Sequence, residues 1–183
     1  QITLPSSVTK IGQNVFKGFK SLKQITIPLS LKSIENNTFN GCISLTEVKF
    51  ELPSSLIFVG ENAFEGCSSL KQITIPSSVI KIKKNAFFKC SSLAKIEFET
   101  PSSLNSIEDN AFSGCSSLTQ ISIPDSITEI SQNAFYGVKT LEITGGLKNI
   151  SCNFFKNCPT LTQITINSSL VSIGSYAFYG CSS

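Results

Sequence analysis

A phenylalanine recurs along this chain at nearly constant intervals, and the interval decides what the chain can fold into. Phe16, Phe39, Phe64, Phe87, Phe112, Phe135, Phe155 and Phe178 are separated by 23, 25, 23, 25, 23, 20 and 23 residues. Every interval carries the same phrase. It reads Leu22-x-x-Ile25-Thr26-Ile27-Pro28, then Leu31-x-x-Ile34, then Asn37-x-Phe39-x-Gly41-Cys42, and begins again at Leu45. A unit this short cannot enclose its own apolar face, so it is stable only when stacked between neighbours. The period predicts one elongated solenoid domain over residues 1–183, with about eight coils of 20–25 residues. With strands about 4.8 Å apart, such an array extends on the order of 38 Å.

Within a coil, the alternation in Ile25-Thr26-Ile27 predicts a short strand buried on one side. Its counterparts are Leu45/Val48/Phe50, Leu70/Ile73/Ile75, Leu93/Ile96/Phe98, Leu118/Ile121/Ile123 and Leu161/Ile164/Ile166. Stacked one per coil, these strands make a parallel sheet. The proline that follows (Pro28, Pro53, Pro76, Pro101, Pro124) has no N–H for the ladder and ends the strand. A second apolar pair such as Val79 and Ile82 predicts a short strand or turn on the opposite side, followed by a 3-10 or single helical turn around Asn-Ala-Phe. The asparagine two residues before the phenylalanine (Asn14, Asn37, Asn62, Asn85, Asn110, Asn133, Asn153; Tyr176 in the last coil) suits a turn that needs local side-chain bonding or a left-handed backbone.

A longer period lies inside the short one. Residues 21–68 and 69–116 agree at 27 of 48 positions, so a two-coil unit is duplicated. One strand of the unit reads Gln-Ile-Thr-Ile-Pro. The next is charged, Glu47-Val48-Lys49-Phe50-Glu51 and then Lys95-Ile96-Glu97-Phe98-Glu99, and belongs to a 25-residue coil. The sixth coil is short, its Thr144-Gly145-Gly146 replaces the usual Pro-Ser-Ser, and the sheet is expected to kink or loosen there.

The chain has no histidine and no tryptophan, which removes the commonest general base and metal ligand. No Gly-x-Ser-x-Gly elbow or phosphate-cradling glycine loop is present. The reading is of a non-enzymatic chain with no catalytic residues, no metal and no cofactor. A net charge of +3 with scattered lysines lacks the footprint of a nucleic-acid binder, and the Lys81, Lys83, Lys84, Lys89 group is read as a solvated face. No apolar run reaches the ~20 residues that span a bilayer, so this segment is not expected to insert into a membrane.

Six cysteines (Cys42, Cys67, Cys90, Cys115, Cys158, Cys181) fall three residues after the phenylalanine, a slot that also accepts Phe19 and Val138. Their spacing is wrong for metal pairs, and an apolar slot predicts a reduced, buried ladder. Cys152 occupies a slot that is otherwise polar and is expected on the surface. Glycosylation sequons begin at Asn36, Asn149 and Asn167. A flat ice-binding threonine face is excluded, because Lys49 and Glu97 interrupt the Thr26, Thr74, Ser122 row.

The runs Ile75-Pro76-Ser77-Ser78-Val79-x-x-Ile82 and Asn110-Ala111-Phe112-Ser113-Gly114-Cys115-Ser116-Ser117-Leu118 resemble the BspA-like leucine-rich repeats, and the resemblance covers the whole chain. It implies a curved leucine-rich-repeat solenoid with a concave parallel sheet. It also implies a place among surface proteins of bacteria and parasitic protists linked to adherence, to host matrix proteins and to other microbes. The family has no catalytic residues to carry over. The resulting expectation is a protein-binding module of a cell-surface adhesin, with glycan or extracellular matrix among its ligands; an intracellular scaffold or regulatory subunit in the cytoplasm is the alternative.

Alternation leaves one polar residue outward beside each buried one. The expected binding rows are Gln24, Glu47, Gln72, Lys95, Gln120, Gln163 and Thr26, Lys49, Thr74, Glu97, Ser122, Thr165, flanked by Glu51 and Glu99. They hold no arginine or aromatic anchors, which predicts weak contacts strengthened by multivalency. Neither end of the sequence carries a polar capping repeat, so the chain reads as an uncapped segment of a longer array, and end-to-end self-association through the strands at 2–4 and 164–166 is expected.

Overall fold

The computed structural model describes every residue except Gln1, Gln132, Gly146, Leu147, Ser151, Ser168 and Ser169. Its strands form two rows. One row holds β1 (Ile2–Thr3), β2 (Gln24–Ile27), β4 (Glu47–Phe50), β6 (Gln72–Ile75), β8 (Lys95–Phe98), β10 (Gln120–Ile123), β12 (Thr140–Gly145) and β14 (Gln163–Asn167). The other holds two-residue strands: β3 (Ser33–Ile34), β5 (Phe58–Val59), β7 (Lys81–Ile82), β9 (Ser106–Ile107), β11 (Glu129–Ile130), β13 (Asn149–Ile150) and β15 (Ser172–Ile173). All pairing is parallel and runs from coil to coil, with Ile25 beside Val48 and Ile73 beside Ile96. This is the parallel-sheet solenoid that the period demands.

Between the rows lies the core. The apolar members of both strands are buried, and the phenylalanine rings stack down the middle. From Phe16 to Phe135 successive ring centroids are 5.1 to 5.7 Å apart and within 14° of parallel.

The turn around each phenylalanine departs from expectation. It is neither a 3-10 nor an α-helical turn, and no helix occurs among the described residues. The asparagine of every coil stands at φ between 52° and 62°, the left-handed region, as does Tyr176 at 58°. A left-handed residue stops a right-handed helix before it starts. The turn also spends its amide protons on the next coil: Asn37 N donates to Glu61 O at 2.8 Å, Phe39 N to Ala63 O at 2.8 Å and Gly41 N to Glu65 O at 2.7 Å. Helix formation would need those donors internally. The asparagine row thus serves the backbone, and one step adds a side-chain bond, Asn85 Nδ2 to Asn62 Oδ1 at 3.0 Å.

The duplicated two-coil unit is visible in the sheet. Strand β2 pairs with β4 over four residues, and so does β6 with β8. The alternate steps are loose: β8 pairs with β10 only at Lys95–Gln120 and Ile96–Ile121, and β4 and β6 are not paired. The strand-end residue sets whether the ladder can continue past the strand. After Phe50 and Phe98 comes a glutamate whose N–H reaches back to the preceding coil, Glu51 N to Ile27 O at 2.9 Å and Glu99 N to Ile75 O at 3.0 Å. At the loose steps that position is Pro76 or Pro124, with no proton to donate.

The short sixth coil behaves differently from expectation. The long-strand sheet does not loosen there, and β12 is the longest strand described. Elsewhere a turn closes between the cysteine slot and the strand, with Leu45, Leu70, Leu93, Leu118 and Leu161 N–H donating to the carbonyls of Cys42, Cys67, Cys90, Cys115 and Cys158 at 2.9 to 3.1 Å. After Val138 the chain runs into β12 without that turn. Strand β12 is also displaced by two residues against β10: Ile121 sits beside Ile143, whereas its repeat counterpart Ile164 sits beside Leu141. A two-residue slip keeps the same side chains inward, so Leu141 and Ile143 stay buried. Among the described residues the other row is interrupted between β11 and β13. Phe154 fills the position that holds alanine in the neighbouring coils, and the Phe155 ring tilts 35° from Phe135. Gly146, part of the expected loosening, lies outside the described residues.

Candidate functional site

The long-strand row presents the polar residues expected to bind. Gln24, Lys49, Gln72, Thr74, Lys95, Glu97, Ser122, Gln163 and Thr165 are exposed, and Thr26, Glu47, Glu51 and Glu99 are half-buried; the side chain of Gln120 lies outside the described set. Register brings them together as Gln24–Glu47, Thr26–Lys49, Gln72–Lys95 and Thr74–Glu97.

Much of their charge is already spent. Lys49 Nζ lies 3.2 Å from Glu47 Oε1 on the same strand, and Lys95 Nζ lies 2.6 Å from Glu97 Oε1. The hydrogen bond and charge of Lys95 hold the Glu97 carboxyl below its ordinary range. Thr74 Oγ1 reaches Glu97 Oε2 at 3.4 Å. The two flanking glutamates act as turn caps. Leu29 N donates to Glu51 Oε2 at 3.3 Å and Ser77 N to Glu99 Oε2 at 3.0 Å, each in the preceding coil.

Where β4 and β6 fail to pair, the face opens into a cleft of about 830 Å³. Its lining includes Thr46, Phe50, Leu52 and Lys71, which alternation alone does not single out, beside Glu47, Lys49, Gln72 and Thr74. The cleft is graded along the strands: polar at Thr46, Glu47, Lys71 and Gln72, apolar at Phe50, Leu52 and Pro76. Leu52 is 57% exposed. The signal for it was the 25-residue coil, whose two extra residues, Glu51 and Leu52, precede the proline. A smaller hollow of about 340 Å³ lies among Thr119, Thr140, Leu141, Glu142, Gln163 and Thr165. The two-residue slip of β12 places Glu142 beside Gln120, a neighbour the repeat pattern does not supply.

The cysteines are a ladder of free thiols. Five of them donate Sγ–H to the phenylalanine carbonyl of the preceding coil, Cys42 to Phe16 at 3.1 Å, Cys67 to Phe39 at 3.3 Å, Cys90 to Phe64 at 3.1 Å, Cys115 to Phe87 at 3.2 Å and Cys181 to Phe155 at 3.1 Å. Burial raises the thiol pKa values of Cys42, Cys67, Cys90, Cys115 and Cys158, to about 12 at Cys115 and Cys158. Such protonated thiols are inert as nucleophiles at neutral pH. Val138 is buried in the same slot, whereas Phe19, in the first coil, is 41% exposed; Cys152 is exposed as expected. At the first sequon, Asn36 Oδ1 accepts from Glu61 N at 2.9 Å, and Thr38 is fully buried with Oγ1 on Glu35 O at 2.7 Å. The other two sequons end at Ser151 and Ser169, outside the described residues. Among the described residues no group of three or more acidic, histidine or cysteine side chains is placed to hold a metal, and no helix is long and apolar enough to cross a membrane.

Stacked parallel strands, a phenylalanine spine and an outward polar sheet define a leucine-rich-repeat solenoid, a class whose general role is protein binding. The chain belongs to the BspA type Leucine rich repeat region family, matched in six copies over residues 1–100, 48–144 and 136–183. No curated protein matches it. Among solved structures it is similar to the Leucine Rich Repeat protein TpLRR of T. pallidum, with 27% identity and a TM-score of 0.60 over 99% of this chain and 76% of that one. It is also similar to a leucine rich cell surface protein of Faecalibacterium prausnitzii, with 26% identity and a TM-score of 0.57 over 96% of this chain and 65% of that one. The pneumococcal vaccine antigen PcpA shares the fold at 23% identity and a TM-score of 0.66, with 87% of this chain covering 48% of that one.

Proposed function

We propose that this chain is a protein-binding segment of a cell-surface adhesin, contacting host matrix or other cells through its long-strand face. The observation that carries the reading is the exposed double row of Gln, Thr, Lys and Glu side chains, opened by the β4/β6 cleft and backed by a rigid ring stack. Such a face makes many small contacts, and its strength grows with the number of coils engaged. The cell-surface protein among its relatives, at 26% identity, supports the location. Glycans of the same matrix are the second ligand class that the polar rows accommodate.

The test has two arms. Antibody against the chain should label intact native cells, and the purified chain should bind immobilised matrix proteins with an affinity that falls when Gln72 and Thr74 are replaced by alanine. Labelling only after permeabilisation refutes the surface location, and matrix binding indifferent to these substitutions refutes the face.

A further inference from the structure

We infer that the step between β4 and β6 is a hinge with two arrangements: an open one that holds the cleft, and a closed one in which the two strands pair and the cleft is gone.

The capacity to close is built into the backbone. Glu47 N donates to Lys23 O at 3.3 Å and Glu51 N to Ile27 O at 2.9 Å, both in the preceding coil. Backbone groups alternate sides along a strand, so those of Val48 and Phe50 face β6. On β6, Lys71 O accepts from Ala94 N at 2.9 Å and Ile75 O from Glu99 N at 3.0 Å, which leaves Gln72 and Thr74 facing β4. In the register that joins β2 to β4, Val48 N and Phe50 N would meet Gln72 O and Thr74 O. Gln72 N and Thr74 N would meet Thr46 O and Val48 O by the same rule, and only Pro76 has nothing to give. Donors and acceptors for a ladder thus stand on both edges of strands that are not paired.

The second observation is that one step recurs in two arrangements. The two-coil unit is duplicated, so β8/β10 is the second copy of β4/β6. There the ladder has begun, at Lys95–Gln120 and Ile96–Ile121 with Thr119 N on Ala94 O at 3.4 Å, and it stops before Phe98. A proline ends the second strand of both copies, Pro76 and Pro124, so the proline alone does not hold β4 and β6 apart.

The third is where the coils stay joined. Behind the cleft β5 and β7 pair at Phe58–Lys81 and Val59–Ile82. Phe64 N donates to Ala86 O and Gly66 N to Phe88 O, both at 2.8 Å, and the Phe64 and Phe87 rings stack at 5.2 Å and 7°. Motion is therefore confined to the long-strand side, with the phenylalanine turn as its axis, a hinge in the ordinary sense. A wedge opened in this way uncovers inward side chains at the strand end. Phe50 and Phe98 at the two loose steps are half-buried, whereas Ile27, Ile75 and Ile123 at the same position are buried. The outward rows run unbroken from β2 to β8 only when the step is closed, and the cleft exists only when it is open. The step thereby selects which surface the face presents.

The test has two arms. Amide hydrogen exchange on the unsubstituted chain compares Val48, Phe50, Gln72 and Thr74 with Ile25 and Ile27, which lie in the paired β2/β4 step. The cleft amides should exchange about tenfold or more faster than Ile25 and Ile27 and still more slowly than in an unstructured peptide, the mark of a step that opens and recloses. Protection equal to that of Ile25 and Ile27 means no open state, and no protection means no closed one; either overturns the inference. The second arm sets cysteines across the step, Lys49→Cys with Thr74→Cys, in a Cys152→Ser chain that lacks the exposed thiol. Thr26→Cys with Lys49→Cys, across paired strands, is the reference. Paired strands stand about 4.8 Å apart, and a disulfide needs Cα atoms within about 7 Å. Mild oxidation should link the 49/74 pair, more slowly than the reference, and linking should slow Val48, Phe50, Gln72 and Thr74 exchange to the level of Ile25 and Ile27. A reference that links while the 49/74 pair does not, or a linked chain whose cleft amides exchange as before, refutes the closed arrangement.

Discussion

Removing one ring from the middle of the stack measures how the array holds itself together. Phe64 is fully buried, with Phe39 at 5.1 Å and 13° on one side and Phe87 at 5.2 Å and 7° on the other. Phe→Ala in a core costs about 3–5 kcal/mol, the cost rising where the surroundings cannot collapse. Collapse is blocked here: Phe39 N–Ala63 O and Phe64 N–Ala86 O, both 2.8 Å, fix the coil spacing on either side of the vacated ring. Phe64→Ala should therefore lie toward the upper end, about 4 kcal/mol. Phe16→Ala is the comparison. Phe16 is half-buried and stacks, among the described residues, on Phe39 alone at 5.4 Å, so about half the loss, ~2 kcal/mol, is expected. Urea unfolding followed by far-UV circular dichroism gives both values. Hydrogen exchange should show lost protection confined to the coils flanking Phe64, since each coil touches only its neighbours. Equal losses for the two variants, or a Phe64→Ala loss below about 1 kcal/mol, would mean that the ring stack does not couple the coils.

Three further outcomes follow from backbone and burial. Tyr176 is 67% exposed at φ 58°, a conformation costly for a bulky residue, so Tyr176→Asn should stabilise the chain by about 1 kcal/mol and raise its melting temperature. A Cβ on Gly60 would stand 2.6 Å from Ile34 O, 2.8 Å from Glu35 C and 2.9 Å from Asn36 N. Gly60→Ala should therefore cost about 2–3 kcal/mol in urea melts, against little for Gly12→Ala, whose nearest neighbour would be at 3.8 Å. The thiols set a pH limit: Cys115 ionises near 12 when folded, against an ordinary value of 9.0, so above about pH 9 the unfolded chain loses a proton that the folded chain keeps. Stability should fall as pH rises through that window, and Cys115→Val, which installs the residue found at Val138, should make the fall shallower by about one proton.

Much of this was legible in one dimension. A repeat that recurs in register forces equivalent residues into equivalent surroundings, so the phenylalanine spine, the buried cysteine slot, the left-handed asparagines and the outward polar rows could be read from the linear pattern. The turn conformation was misjudged because local propensity speaks for the chain's own hydrogen bonds. Here the amides of Asn37, Phe39 and Gly41 are committed to the next coil.

The sequence by itself determined the coil, its period and which side chains point in, because each depends on spacing along the chain. Only the tertiary structure decided how one coil meets the next. Where a ladder stops depends on whether the neighbour offers a proton there, and Pro76 and Pro124 offer none; β8 and β10 still pair at two residues, whereas β4 and β6 do not pair and a cleft opens between them. The two-residue slip of β12 is a decision of the same kind. It moves no residue between core and surface and therefore leaves no trace in the pattern of apolar and polar positions.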